Sequence, residues 1–548
     1  MATNSKYKKE EIRLGNNAFS QSRTTIETAF YGNNVKKIND LKKAYEMAKA
    51  SIGTLTLDMP VYEPEKIGLP KDAKMLLFND GETVGRFAGA RVILGEKGVI
   101  ESEIAGVLRE AVYKTRYKTM LHTEAYIGLD PDFMVKANLL VPETYENTLY
   151  NWLLNFQYIN DFYNEMYSKS IKLGNEPDIF ILSDPDWKDP RYPNGLSYFD
   201  PEHNCAALLG LRYFGEHKKG TLTIAWGIAN RNGYVSCHGG LKRMVRKDGT
   251  KHVMGVFGLS GSGKSTLTHA KHEGKYNVTV LHDDAYIISI NNGSSVALEP
   301  SYFDKTQDYP LISEDNKYLI TIQNCGATID SEGKLVPVTE DIRNGNGRAI
   351  KSKLWASNRV DKLDESINSI VWLMKDHALP PVLKLEEPVL ASVMGACLAT
   401  KRTSAEKILK GVDKDALVFE PYANPFRTYA LEQDYNKFKT LFEERGVACY
   451  IINTGYFLDR KIPKEITIDI IEQIVDETAE FKPFGSFKQM KTVDIEGFVP
   501  DFKDSDYVEL LLNSIQNRIT YLESLKTFKG GRDELPVEAL NALQKLIK

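Results

Sequence analysis

The sequence predicts a mixed α/β protein built from more than one lobe, and three observations carry that expectation. At 548 residues the chain exceeds what one hydrophobic core ordinarily holds, so two or three packed lobes with a cleft between them are expected. Short apolar runs from about residue 250 onward, VMGVFGL, NVTVLH, SIVWLM and ACYIIN, read as buried strands, and several end in polar or glycine-rich turns. The segment LEQDYNKFKTLFEERG at 431–446 has the apolar spacing of an amphipathic helix and ends on Gly446, as a helix covering a sheet would. A strand followed by a functional loop is how open α/β sheets present ligand sites at the carboxyl ends of their strands.

The N-terminal part mixes signals in the same way. A Lys-rich helical stretch near 36–51 is followed by a Pro-rich passage and then by short apolar segments such as MLLF at 75–78. IFIL at 179–182 is a short apolar run that precedes SDPDWKDPRYPNG, whose Asp, Pro and Asn predict a long surface loop. No internal repeat and no low-complexity tract interrupts the chain.

Composition narrows the function classes. A hydrophobic content of 42% with 26% charged residues is that of an ordinary globular protein. The 70 basic and 74 acidic residues, net −4, are interspersed, which argues against nucleic acid as the main partner but leaves room for a local basic pocket. Cys205, Cys237, Cys325, Cys397 and Cys449 are far apart and form no C-x-x-C pair, as expected of thiols in a reducing compartment. The polar N-terminus, with no run of about 18 apolar residues anywhere, predicts a soluble, cytoplasmic protein that makes no membrane contact.

The sharpest motif is Gly258-Leu259-Ser260-Gly261-Ser262-Gly263-Lys264-Ser265, a complete G-x-x-x-x-G-K-[ST] directly after VMGVF and before a plausible helix start. Glycines at these positions let successive backbone N–H groups turn inward around phosphate oxygens; Lys264 neutralises the β/γ region and the Ser265 hydroxyl can ligate Mg²⁺. The whole run from Ser260 to Thr266 is therefore the expected phosphate cradle of a nucleotide, where the bland alternative is a glycine-rich turn. Downstream, NVTVLH leads into Asp283-Asp284, two carboxylates expected at the end of a neighbouring strand. Such a pair is by default a solvated acidic turn; beside a P-loop it suits divalent ions that offset the charge of ATP.

A P-loop with aspartates describes many kinases and ATPases, so the reaction must be read from other residues. The stretch Tyr213-Phe214-Gly215-Glu216-His217-Lys218-Lys219-Gly220, followed by His238 in VSCHGG, is similar to the metal-binding stretch of the ATP-type phosphoenolpyruvate carboxykinases. That resemblance implies Mn²⁺ held by Lys219, His238 and Asp284. A lysine that ligates a metal must be neutral, so burial beside a dication has to depress its pKa strongly, and an ordinary loop lysine would be a solvated cation. Other segments resemble the family in the same order along the chain. Gly85-Arg86 in TVGRFAGAR resembles GRSPKDKY, whose arginine holds the substrate carboxylate, and Tyr213 matches the tyrosine beside the bound substrate. Arg343 in TEDIRNGNG resembles the arginine that reaches substrate and transferring phosphate, a task suited to a guanidinium fork. Glu299 and Lys305, six residues apart, resemble the EGGCYAKT stretch expected on ATP. MKDHALPPVLKL resembles DAFGVLPPVSKL, and INTGYF resembles VNTGW, so that the likeness spans about 75–465.

The resemblance implies a two-lobed carboxykinase-like fold, with a substrate-binding lobe at 1–233 and a P-loop nucleotide- and metal-binding lobe at 234–548. It implies ATP, Mg²⁺ and Mn²⁺ as cofactors, and oxaloacetate, phosphoenolpyruvate and CO2 as the small molecules handled. Arg86, Tyr213, Lys219, Lys264, Asp283 and Arg343 would then carry the chemistry, with Lys219, His238, Ser265 and Asp284 on the metals. The chain departs from the family where the lid becomes MGACLATKRTSAEKILKG and where NGTGKR becomes FLDRK; Arg460 or Lys461 is then the candidate for adenine or ribose. GRSPKDKY survives only as Gly-Arg. Two other readings stay open at this point: a diverged kinase on the same scaffold, which would need a catalytic base that the matched motifs do not offer, and a nucleotide-binding regulatory protein without catalysis.

Overall fold

Long runs of buried β-branched and aromatic residues set the architecture of each of two units. The computed structural model describes every residue except 1, 14, 17, 80–84, 260, 309, 341–346 and 402–416. The first unit gathers the chain as far as Ile228 together with Leu298–Ser357, and the second takes Ala229–Ala297 and most of the chain beyond 358. The chain passes from one to the other inside a single helix, Phe214–Arg231.

The first unit is organised on an eight-stranded mixed sheet. Its longest strands, Met120–Asp130 and Phe133–Pro142, form an antiparallel hairpin whose residues are almost all buried on both faces. Beside them run Ile179–Asp184 and Cys205–Leu209, each parallel to its predecessor, and then Leu196–Asp200, antiparallel. Of SDPDWKDPRYPNG, Ser183 and Asp184 still belong to the strand and Pro185 and Trp187 are buried, while the other residues form the exposed or half-buried connection that its turn residues predict. Helices Gln21–Thr28 and Glu101–Thr115 place Ile26, Ile104 and Leu108 against Leu140, Phe180 and Leu182, a dry layer whose burial stabilises the unit by roughly 1.5–3 kcal/mol per large side chain. The helix Phe214–Arg231 lies close on the sheet, for a Cβ at Gly220 would come within 3.3 Å of Leu208. A second sheet of five strands includes Lys74–Phe78, which contains the apolar segment MLLF, and pairs Tyr302–Lys305 with Arg348–Lys351.

The second unit holds an eleven-stranded sheet whose parallel centre is Lys251–Phe257, Ser369–Met374 and Ala448–Asn453, three of the four strands predicted from the sequence. One face packs Val256, Val371, Leu373 and Ile452 against Ile470, Ile471 and Ile474 of the helix Lys464–Asp476. The other face is aromatic: Trp372 meets Phe438 edge-on at 5.1 Å, on the helix Leu431–Glu444 that the periodicity predicts, and the following Gly446 adopts φ +65°. The fourth predicted strand, Asn277–His282, sits elsewhere than expected. It does not adjoin the P-loop strand; Tyr234–Val245 lies between them, antiparallel to both. Among the described residues no helix is long and apolar enough to cross a membrane.

Candidate active site

The strand Lys251–Phe257 ends its buried run at Gly258, and the backbone then turns through Gly261 at φ +80° and Gly263 at φ +91°. These left-handed conformations cost glycine little, and nothing lies within 4 Å of where a Cβ would stand at either, so the loop leaves a concave, open backbone surface. A short helix, Lys264–His269, starts at once. Lys264 is buried, Ser265 and Thr266 are exposed, and the Ser262 hydroxyl is buried without a hydrogen-bond partner among the described residues. A buried hydroxyl left without a partner in a glycine-rich turn is a donor that an anion can use, so the residues of the loop fit phosphate. Ser260 of the predicted cradle lies outside the described residues.

The helix lies on Tyr234–Val245 because Gly240 has no side chain: a Cβ there would fall 1.8 Å from the Thr268 hydroxyl oxygen. Opposite Gly239 and Gly240 the neighbouring strand is interrupted, with His282 paired to Leu241 and Ala285 to His238. Asp283 and Asp284 occupy that interruption, in a bend directly after the last residue of Asn277–His282 as expected, but on a strand that Tyr234–Val245 separates from the P-loop strand. The buried His282 shapes the bend, its Nδ1 accepting the amide N–H groups of Asp284 (3.0 Å) and Ala285 (3.3 Å).

Each aspartate then faces the P-loop helix. Asp283 is buried with His269 Nε2 3.5 Å from its carboxylate. Burial would raise its pKa, but His269, His282 and Lys264 reverse that and hold the carboxyl well below the usual range. Asp284 Oδ1 stands 3.8 Å from Lys264 Nζ and 3.0 Å from His238 Nε2. His238 donates its Nδ1 proton to the Ala423 carbonyl, which leaves the Nε2 lone pair facing the carboxylate. Two electron-rich atoms at that distance need a shared proton or a cation between them, so the donor chemistry fits a divalent ion. Ala423 and its neighbour Tyr422 both have left-handed backbone, φ +53° and +52°, which is costly outside glycine and marks a constrained segment behind the histidine. Among the described residues no three His, Cys, Asp or Glu side chains form a metal-binding group. The expected set counts only two of those types, the third ligand being a lysine.

The remaining predicted residues belong to the first unit, described by itself. Tyr213 immediately precedes the helix Phe214–Arg231, and its ring folds over Gly215, where a Cβ would lie 2.3 Å from it. Arg86 is buried, and the next residue, Phe87, donates its N–H to the Glu216 carboxylate at 3.1 Å, which ties the arginine segment to the first turn of that helix. Consecutive helical residues point about 100° apart, and Lys218 and Lys219 differ accordingly. Lys218 is fully buried in an ion pair with Glu299 at 3.0 Å, and Asn155 donates to the other Glu299 oxygen at 2.6 Å. Lys219 is half-buried with its amine 5.7 Å from the Trp226 ring centre. Lys305 is half-buried at the end of its strand, opposite Arg348. Arg343 lies outside the described residues, as does most of the divergent lid.

Of the expected metal set, His238 and Asp284 are thus brought together beside Lys264, while Lys219 belongs to the other unit. Sequence reasoning missed His282, His269 and the Ala423 carbonyl. The first two are single histidines with no motif, and a backbone carbonyl 185 residues away from His238 leaves no trace in composition or spacing.

A family model described as phosphoenolpyruvate carboxykinase, of the ATP type, matches residues 95–498. A phosphoenolpyruvate carboxykinase (ATP) from Aeropyrum pernix is 28% identical over 357 residues, covering 61% of this chain and 70% of the relative. The Staphylococcus aureus protein of that name is 23% identical over 404 residues, 68% of this chain and 70% of the relative. A glycosomal one from Trypanosoma brucei brucei is 24% identical over 332 residues, 56% and 66%. With a match that embraces the P-loop, the paired aspartates and His238, the chain belongs to the phosphoenolpyruvate carboxykinase (ATP) family.

Proposed function

We propose that this chain catalyses the reversible conversion of oxaloacetate and ATP to phosphoenolpyruvate, CO2 and ADP. The observation that carries the reading is the His238–Asp284 pair set beside a phosphate-cradling loop in a chain of this family. Oxaloacetate is held by Arg86, whose planar fork suits a carboxylate, and by Tyr213. The bond to the departing carboxyl breaks, CO2 leaves, and the electron pair passes to the enolate oxygen, which attacks the γ-phosphorus in line as ADP departs. The backbone amides of Gly261, Gly263, Lys264 and Ser265 and the Lys264 amine hold the β- and γ-phosphates, Glu299 and Lys305 belong to the nucleotide-binding set, and Arg343 spreads charge on substrate and phosphoryl group. Lys219, His238 and Asp284 would hold Mn²⁺, and Ser265, with Asp283 nearby, Mg²⁺; when bound, these ions supply the positive charge that stabilises the developing enolate and the transferring phosphoryl group. No protein nucleophile and no catalytic base is required, because an enolate is already a nucleophile.

In this reading residues 1–233 act mainly on the substrate and 234–548 on nucleotide and metal. We place the protein in the cytoplasm, supported by five buried cysteines, none in a disulfide. The test is exchange of labelled CO2 into oxaloacetate with purified protein, ATP or GTP, and Mn²⁺. Exchange that requires both nucleotide and metal supports the assignment; ATP turnover onto a hydroxyl acceptor with no such exchange overturns it.

A further inference from the structure

We infer that Lys242 is a positioning residue for the P-loop helix, gripping that helix from behind and linking it through His272 to the surface carboxylate Glu472. The inference rests on the nucleotide-site reading of the loop before Lys264. Lys242 lies in the middle of the strand Tyr234–Val245, 1% exposed, paired across the sheet with Met254 on one side and Val280 on the other. A charged side chain there is costly unless its hydrogens are used. Its amine donates to the Leu267 carbonyl at 2.6 Å and to His272 Nε2 at 2.8 Å. His272 therefore carries its proton on Nδ1 and donates it to Glu472 at 3.0 Å, completing a chain of hydrogen bonds from the surface to the helix. His272 and Glu273 both have φ +50°, a conformation that non-glycine residues hold only when their surroundings fix it.

The partner on the helix decides what this chain does. Leu267 is among the last residues of the six-residue helix Lys264–His269, and carbonyls at that end lack partners within the helix. Lys242 satisfies one of them from the side where positive charge is favoured, while a bound phosphate would sit at the opposite end, beyond Lys264 and roughly 4.5 Å along the axis from Leu267 at 1.5 Å per residue. A position change at the Leu267 carbonyl is thus transmitted to Lys264, three residues earlier, through less than one turn of helix.

The groups facing Lys242 are His272 and, behind it, Glu472, with Lys275, Asp476 and Tyr276 flanking Glu472; among the described residues no carboxylate touches the amine directly. Burial pushes the Lys242 pKa down to about 7, and burial with the Lys242 charge also lowers that of His272. A phosphate at the far end of the helix favours the ammonium form, so by linkage nucleotide binding takes up protons and ATP affinity rises as the pH falls through neutrality.

The test compares the full-length protein with Lys242→Met, Glu472→Gln and Lys264→Ala, by calorimetric titration of MgATP between pH 6 and 8 in buffers of different ionisation enthalpy. Lys242→Met should weaken ATP binding about fivefold at pH 6.5, the size of a charge effect at a helix end, and abolish the extra proton uptake, with kcat at saturating ATP nearly unchanged. Glu472→Gln, at the surface end of the chain, removes a charge that favours the Lys242 ammonium and should shift the pH dependence of ATP affinity to lower pH. Wild-type affinity and proton uptake in a folded Lys242→Met protein overturn the inference; should that variant not fold, an unaltered pH dependence in Glu472→Gln does so. If Lys264→Ala binds ATP as wild type does, the nucleotide-site reading itself has failed.

Discussion

His238 shows how one side chain's chemistry is set by atoms that no motif contains. Its Nδ1 proton is committed to the Ala423 carbonyl, so the other nitrogen is available toward Asp284. His238→Ala or Lys219→Met should weaken Mn²⁺ binding by about 100-fold or more and suppress both decarboxylation and phosphoryl transfer, while ATP binding through Lys264 is largely retained. Metal titration and nucleotide titration of the same variants separate the two, and parallel loss of ATP affinity would remove the assigned ligand role. Lys264→Ala acts on the opposite partner: with the β/γ-phosphate contact gone, turnover should fall by about 10³-fold or more in a protein whose circular dichroism is unchanged. Near-normal turnover would mean that this loop is not the catalytic nucleotide site. Lys264 and Asp284 were legible in the sequence because a phosphate cradle and a carboxylate pair have fixed local spacings. His282 and Lys242 were not, because their roles arise only when strands distant in the chain are paired.

Elements repeat the pattern on a larger scale. SIVWLM and ACYIIN could be read as strands because both faces of the central sheet are covered, which makes their apolar runs continuous. The position of Asn277–His282 could not, since strand order depends on how the chain returns to an edge and leaves no periodicity behind. The helix Ser505–Leu525, beyond the family match, is another case: it packs Arg518 against the loop that follows Ser369–Met374. Arg518 and Asp376 are both almost fully buried, 2.9 Å apart, and Ser514 donates to the same carboxylate at 2.7 Å. The Asp376 carbonyl in turn accepts from Asn453, the last residue of the strand Ala448–Asn453 and the second of INTGYF. Asp376→Asn leaves the guanidinium buried without its counter-charge and should destabilise the second unit by about 3–5 kcal/mol, read by denaturant unfolding. Burial alone would raise the Asp376 pKa, yet Arg518 and Ser514 bring it below the ordinary value. The pair's contribution is therefore full above the unfolded aspartate pKa of about 3.9 and is lost as the pH falls through the lower folded value. The wild type should lose that increment on acidification and the variant should not; identical acid unfolding of the two would mean that the pair contributes nothing.

Over the whole molecule, the family match runs from 95 to 498 and takes in the segments proposed to meet the nucleotide base. Phosphate is held by backbone amides and Lys264, which contact no base, so the P-loop cannot by itself choose between nucleotides. Choice must come from groups that meet the base edge, and in the hairpin Tyr456–Phe457 and Arg460–Lys461 the sequence FLDRK replaces the family's NGTGKR. Arg460 is engaged there, donating to the Gly497 carbonyl at 2.9 Å with its guanidinium 5.7 Å from the Phe498 ring centre. That leaves Lys461, exposed on the same hairpin, as the better placed of the two for contact with adenine or ribose. Because the segments around Lys219 and the P-loop follow the ATP-type pattern, ATP should exceed GTP in kcat/KM by about tenfold or more, a difference of roughly 1.4 kcal/mol in transition-state binding. Lys461→Ala should lower that ratio with little change in kcat, because it removes a contact made equally in ground and transition states. The measurement is carboxykinase turnover with ATP, GTP and pyrophosphate at matched concentrations. Equal or faster turnover with either alternative donor would show that the altered hairpin has moved this chain away from the nucleotide its family name carries.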